Sequence, residues 1–245
     1  GALHEGHLSL IKKAKIKSKQ VLVSIYVNAK QFSSKKDFKK YPRSFKEDVN
    51  ILKKNKIDYL YIPNDKDIYS FKPKKKIYLD PFSKVLCEKS RPFHFKGVVN
   101  VINRFLDIIN PKYLYLGMKD FQQLAIIKSH ITKNRIKTNI VHCTTVRENN
   151  GAALSSRNLK LNKNHLRIVG KIYKFIKNNK KFILKKILNK NKSLVINKLL
   201  HLGANKVDYI ECINLDQKKV CKNFKSKFNI FIAYYVNGIR LIDNL

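Results

Sequence analysis

Residues 113–146 read YLYLGMKDFQQLAIIKSHITKNRIKTNIVHCTTV, and this stretch decides the fold. Residues 113–116 are aromatic and apolar with no breaker, which makes a short strand. Residues 120–134 read as a helix, and residues 139–146 return to a β-branched strand run. Strand, helix and strand in this order make a crossover between parallel strands, and parallel strands need helices on both faces. Working outward, the alternation continues upstream. Residues 20–28 (QVLVSIYVN) and 58–62 (DYLYI, ended by Pro63) read as strands. Residues 44–55 and 97–110 read as helices. Ser44 with Glu47 spells a capping box for the first, and Pro111 stops the second. A further helix begins at about His4, with Leu8, Leu10, Ile11 and Ala14 forming its apolar stripe. The expected class is α/β, a Rossmann-like doubly wound parallel sheet.

The character changes near Glu148. No acidic residue occurs from residue 149 to residue 207. Two Lys-rich apolar helices are expected at 163–178 and 182–200, followed by strand runs at 207–213, 229–236 and 238–242. The division is therefore a nucleotide- and substrate-binding domain at 1–147 and a smaller α+β lid domain at 148–245.

Composition excludes several classes. With 44% hydrophobic residues, 14 Phe and 12 Tyr, the chain can pack a core. No apolar run reaches the roughly 18 to 20 residues of a membrane helix. Four cysteines (Cys87, Cys143, Cys212, Cys221) show neither a disulfide framework nor metal-ligand spacing, and a reduced, cytoplasmic setting is expected. The net charge of +37 points toward polyanions. Yet 45 of the 53 basic residues are Lys, and the excess is spread as +20 over residues 1–150 and +17 over 151–245. Readers of base edges lean on the guanidinium fork, so a solvated basic surface is preferred over a dedicated nucleic-acid footprint. A basic RNA-binding protein remains the alternative from a different class.

Four constellations carry chemistry. His4-Glu5-Gly6-His7 places two imidazoles one turn apart at a helix N-terminus, where backbone N–H groups and the dipole attract phosphate. Gly1 and Gly6 let backbone approach a nucleotide. Gly117-Met118-Lys119-Asp120 lies between strand and helix, at the carboxyl end of a parallel strand where ligands bind. Lys119 can reach a phosphate, and Asp120 suits the helix dipole or a ribose hydroxyl. Leu154-Ser155-Ser156-Arg157 joins two hydroxyls to a guanidinium, a polydentate phosphate clamp near the domain boundary. Finally, Gln31 in VNAKQF and Gln122-Gln123 offer neutral amides that grip a small hydroxy acid. Each of these alone reads as well as an ordinary cap, turn or surface amide; together and in order they point to a nucleotide enzyme.

In this order, the motifs resemble the pantothenate synthetase (pantoate–β-alanine ligase) family of the HxGH nucleotidyltransferase superfamily. The resemblance runs over GALHEGH, VNAKQF, YPRSFKED, SRPFHFKGV, GMKDFQQL, VRENNGAALSSRN and GIRLIDN, nearly the whole chain. It implies condensation of (R)-pantoate with β-alanine through a pantoyl adenylate, with release of pyrophosphate and AMP. The implied ATP residues are Gly1, Ala2, Leu3, His4, Glu5, Gly6, His7, Gly117, Met118, Lys119, Asp120, Val146, Leu154, Ser155, Ser156 and Arg157. His4, His7 and Lys119 would be catalytic, with His7 the proton donor. Gln31 and Gln123 would bind pantoate, Gln31 also β-alanine, and Asp48 would stand on the magnesium side. Arg91 and His94 would support the substrate cleft. The implied partners are these small molecules and a second copy of the chain, with no membrane and no dedicated nucleic acid.

The sequence departs from the family pattern in places. GEKD reads GMKD, VNPxQF has Ala29, LEGxxRPGHF reads LCEKSRPFHF, and Asn150 replaces an Asp. The family strand ending Pro-Thr-Met, expected as the first strand, falls upstream of Gly1. Another HxGH adenylyltransferase is the alternative within the superfamily.

Overall fold

The computed structural model describes residues 2–224 and 227–245. Two compact units make up the chain, Gly1–Val146 and Arg147–Leu245. In the first, helix α1 (Glu5–Lys17) is followed by strand β1 (Leu22–Ser24) and a 3-10 turn at Ala29–Gln31. Helices α2 (Lys35–Lys39) and α3 (Phe45–Lys54) lead to β2 (Tyr59–Tyr61) and α4 (Asp65–Tyr69). A short α5 (Cys87–Ser90) precedes α6 (His94–Ile109), β3 (Tyr113–Gly117), α7 (Phe121–Lys133) and β4 (Asn139–Cys143).

The strands run parallel, as the crossovers require. β1 pairs with β2 from Leu22↔Tyr59 to Ser24↔Tyr61, and β3 with β4 from Tyr113↔Asn139 to Gly117↔Cys143. They form two separate pairs, not one continuous ladder. Val98 and Leu106 of α6 pack with Ile127 and Ile131 of α7 over Leu114, Leu116 and Ile140. Burying that apolar layer holds α7 over the β3–β4 pair. It also fixes where the segment after β3 emerges.

Three expectations change in detail. The strand expected at 20–28 contracts to Leu22–Ser24, because among the described residues it pairs only with the three-residue β2. The capping box at Ser44 does not form; the Ser44 hydroxyl donates to Asp48 Oδ1 instead, at 3.0 Å. Helix α6 starts at His94, three residues before Gly97. Gly97 lies inside it because a Cβ there would sit 2.2 Å from the Lys30 carbonyl oxygen.

In the second unit, α8 (Lys163–Asn178), α9 (Lys180–Leu188) and α10 (Ser193–His201) precede β5 (Lys206–Asn214), β6 (Lys219–Val220), β7 (Phe228–Val236) and β8 (Ile239–Asn244). The four strands form an antiparallel sheet in the order β6-β5-β7-β8. Asn237 and Gly238, both at positive φ (50° and 69°), close the β7–β8 hairpin, the backbone that an Asn-Gly pair favours. Ile172, Ile176, Ile183, Leu184 and Leu199 pack against Ile210, Ile230 and Ile232 as this unit's core. The single helix expected at 182–200 is two helices, α9 and α10, broken where Lys190 turns to φ 57°. Among the described residues no helix is long and apolar enough to cross a membrane.

Candidate active site

The tip of α1 is built by its own imidazoles. His4 is the N-cap, and its Nδ1 accepts the Gly6 N–H at 3.1 Å. The His4 N–H in turn donates to His7 Nδ1 at 3.2 Å. This is a capping box with two histidines in the places usually held by Ser or Thr and Glu. A nitrogen that accepts an N–H carries no proton, so both rings are held as the Nε2–H tautomer. The rings lie 4.1 Å apart between centroids. Each presents one N–H donor at its distal end.

Charge follows the same logic. Burial first, then the neighbouring His4, the terminal ammonium and the Lys119 ammonium, push the His7 pKa down to about 4. Burial and then Lys119 lower that of His4. Both rings are therefore neutral near pH 7. His7, expected as a proton donor, is neutral at that pH and offers its Nε2–H as a hydrogen-bond donor. The backbone amides also play a different part from that expected. Gly6 N–H is occupied by His4 Nδ1, and His7 N–H donates to the His4 carbonyl at 2.7 Å. The side chains, not these two amides, are what the tip offers to an anion.

Lys119 and Asp120 act on both imidazoles, the ammonium lowering and the carboxylate raising their pKa values. β3 delivers them through the 3-10 turn Met118–Asp120. Lys119 Nζ lies 3.5 Å from Asp120 Oδ1, with the side chains 20% and 45% exposed. Gly117 precedes them with ordinary extended backbone (φ −75°, ψ 134°) and open space where a Cβ would be. Neither conformation nor packing demands glycine there.

Asp48 does different work from that expected. It is fully buried, and its carboxylate accepts Ala2 N–H (2.9 Å), Leu3 N–H (2.7 Å) and the Ser44 hydroxyl (3.0 Å). It anchors the chain entering α1, where Ala2 holds the left-handed φ of 55°. The described residues contain no group of three or more His, Cys, Asp or Glu able to hold a metal. A buried carboxylate with three donors does not fit a magnesium ligand, and no resident magnesium site is assigned.

Gln31 ends the 3-10 turn Ala29–Gln31, which is capped by the buried Asn28. Asn28 Oδ1 accepts Lys30 N–H at 3.1 Å and the Tyr69 hydroxyl at 2.9 Å, and Nδ2 donates to the Gly97 carbonyl at 3.2 Å. The Gln31 carbonyl accepts from His94 Nδ1 at 2.8 Å and from Arg91 at 3.4 Å. Arg91 and His94 thus meet at the Gln31 backbone, a contact that ties them to a residue expected to bind substrate. Asn28 and Tyr69 are contributors the sequence reading missed; an Asn before a short turn was the available signal.

The two glutamines of α7 diverge. Gln122 is buried, donating to the Phe82 and Val85 carbonyls at 2.8 Å each and accepting from Cys87 N–H at 3.4 Å. It staples the 82–87 segment, and both N–H donors of its amide are spent there. Gln123, its neighbour, is half-buried.

Among the remaining expected ATP residues, Gly1 lies outside the described residues, Leu3 and Val146 are half-buried, and Glu5 is exposed in the first turn of α1. Leu154, Ser155, Ser156 and Arg157 belong to the second unit. There Ser155 caps the 3-10 turn Ser156–Lys160 by accepting Arg157 N–H at 3.2 Å, Ser156 is buried, and Arg157 is half-buried.

The family model for pantoate-beta-alanine ligase matches residues 1–245. A pantothenate synthetase of Caldicellulosiruptor saccharolyticus is 36% identical over 247 residues, covering 100% of this chain and 88% of its own. One from Endomicrobium trichonymphae is 39% identical over 245 residues, covering 100% and 87%. Among solved structures, the pantoate-beta-alanine ligase of Francisella tularensis, complexed with beta-gamma ATP and beta-alanine, superposes with a TM-score of 0.80 at 38% identity, covering 100% of this chain and 86% of that one. Pantothenate synthetase of Thermus thermophilus gives 0.84 at 26% identity, covering 100% and 90%.

Proposed function

Because the chain belongs to the pantoate-beta-alanine ligase family, we propose that it condenses pantoate with β-alanine at the expense of ATP, through a pantoyl adenylate. The observation that carries this reading onto the chain's own atoms is the paired neutral imidazoles at the tip of α1, beside Lys119. Their Nε2–H groups hydrogen-bond ATP phosphate oxygens, and Lys119 adds a full positive charge. In the transition state for attack of the pantoate carboxylate on the α-phosphorus, negative charge accumulates on the departing pyrophosphate. Fixed donors aimed there stabilise it without reorganising. Gln31 and Gln123 hold pantoate through neutral amides, and Gln31 also meets β-alanine. The Ser155–Arg157 segment of the second unit supplies further phosphate contacts, and Gly117, Met118, Asp120 and Val146 line the nucleotide. In the second half-reaction the β-alanine amine attacks the acyl carbon of the adenylate, and AMP leaves.

Magnesium, on this reading, enters as the ATP complex and is part of the substrate. A cytoplasmic homodimer is the assembly we propose. The test is to supply ATP and magnesium with pantoate, β-alanine, both or neither, and follow AMP and pyrophosphate. AMP release that needs both acids supports the ligase. AMP release without pantoate, or AMP retained in the product as by an adenylyltransferase, overturns it.

A further inference from the structure

The segment carrying Ser155, Ser156 and Arg157 is fastened at both ends to one strand of the second unit. At its start the backbone doubles back: Glu148 N–H donates to the Ala152 carbonyl and Gly151 N–H to the Glu148 carbonyl, each at 2.8 Å. Arg147 bridges to Ala153 across this turn. Gly151 holds φ +94°, and a Cβ there would lie 2.0 Å from a Tyr173 ring carbon, so the ring and the turn are fitted to each other. The Arg147 guanidinium stacks on the same ring at 4.4 Å. It then reaches β8 as a fork: Nη1 donates to Asp243 Oδ2 at 2.7 Å and Nη2 to Oδ1 at 2.9 Å. It also donates to the carbonyls of Gly151 (3.1 Å) and Asn244 (3.4 Å). At the other end, Arg157 Nη1 donates to the Arg240 carbonyl of β8 at 3.0 Å. β8 is itself tied to β5 by Arg240 Nε on Asp208 Oδ2 at 2.8 Å.

The Arg147–Asp243 pair is largely buried, at 20% and 9% exposure. Desolvation offsets much of a buried pair's attraction, so its geometric quality exceeds its net stabilisation. What a bidentate fork supplies without discount is position. We propose that Arg147 and Asp243 are positioning residues that hold the Ser155–Arg157 segment against β8 in the backbone form with which it binds ATP phosphates. This rests on the reading that the segment binds ATP.

The experiment compares Asp243→Asn, Arg147→Lys and, as a control, Arg157→Ala in the full chain, measuring kcat and KM for ATP and for pantoate. Asparagine cannot oppose the fork with two charged oxygens. Lysine keeps the charge but not the fork, and so guards against a fold lost in the first variant. For both, KM for ATP is expected to rise about tenfold, equivalent to roughly 1.4 kcal/mol. The pantoate KM and kcat stay within about twofold. KM does not depend on the folded fraction, so a fall in kcat at unchanged ATP KM marks a purely structural pair and overturns the proposal. If Arg157→Ala raises the ATP KM while both clamp variants leave it unchanged, the clamp is refuted and the ATP reading of the segment stands. If all three leave it unchanged, that reading fails as well and takes the clamp with it.

Discussion

Replacing Asp48 by Asn keeps the shape of the side chain and removes its charge, which isolates what the buried carboxylate does. Oδ1 serves Leu3 N–H and the Ser44 hydroxyl, while Oδ2 serves Ala2 N–H alone. An asparagine whose oxygen keeps the first two bonds must turn its NH2 group toward the Ala2 N–H. One hydrogen bond to a charged acceptor, about 1.5–3 kcal/mol, is then lost and a buried donor is left unmet. The expected destabilisation is about 3 kcal/mol, or roughly 10 °C in melting temperature. The functional loss should exceed this, because the freed residues lead directly into His4. A displacement of about 1 Å at a reacting group can cost on the order of a hundredfold in rate. Urea unfolding and pantoate-dependent AMP release, measured on the same preparation, test both halves. Wild-type stability and rate in Asp48→Asn would refute the anchor. A variant of unchanged stability whose magnesium requirement shifts would return Asp48 to the metal.

Further outcomes follow from single sites. Gly117→Ala should fold normally, even gaining about 0.5 kcal/mol from a stiffer unfolded chain, because nothing lies within 4 Å of its Cβ position. It should nevertheless weaken ATP binding in calorimetry, and unchanged affinity would show that the open space receives no ligand. Phe93 holds φ 64° with its side chain largely exposed, so Phe93→Gly should stabilise by about 0.5–1 kcal/mol; a lower melting temperature contradicts this. Acid should destabilise the α1 tip. The pKa of His7 is lowered from 6.5 to about 4, so the unfolded chain binds the proton more readily. Its contribution to stability is complete above pH 6.5 and is lost as pH falls toward 4. Stability measured across that interval should decline, and a rise would reverse the sign assigned to His7.

Much of the fold was legible because the sequence carries its punctuation. The strand–helix–strand passage folds in the order read, its last strand ending at Cys143 and not at Val146, and α8 spans the bounds 163–178 that its polar and apolar spacing indicated. What escaped was set by contacts distant in sequence. Gly97 reads as the start of a helix, yet it is glycine because the Lys30 carbonyl presses against it. The break between α9 and α10 falls at Lys190, in left-handed backbone, a conformation for which lysine gives no local warning. Ser44 has a competing acceptor in Asp48 that a capping pattern does not reveal. At the site, the spacing of His4 and His7 was visible, but their tautomers depend on which nitrogen faces the backbone. Asp48 and Gln122 look chemically available in one dimension and are fully engaged in three.

The claim on which the chemistry rests is that His4 and His7 stand as neutral donors awaiting phosphate oxygens. Long-range nitrogen–proton NMR of the histidine rings near pH 7, recorded without and with an unhydrolysable ATP analogue, reads it directly. Both rings should display the protonated Nε2 and bare Nδ1 pattern, with the analogue shifting the Nε2 resonances most. Rings protonated at Nδ1, or spectra indifferent to the analogue, would contradict it.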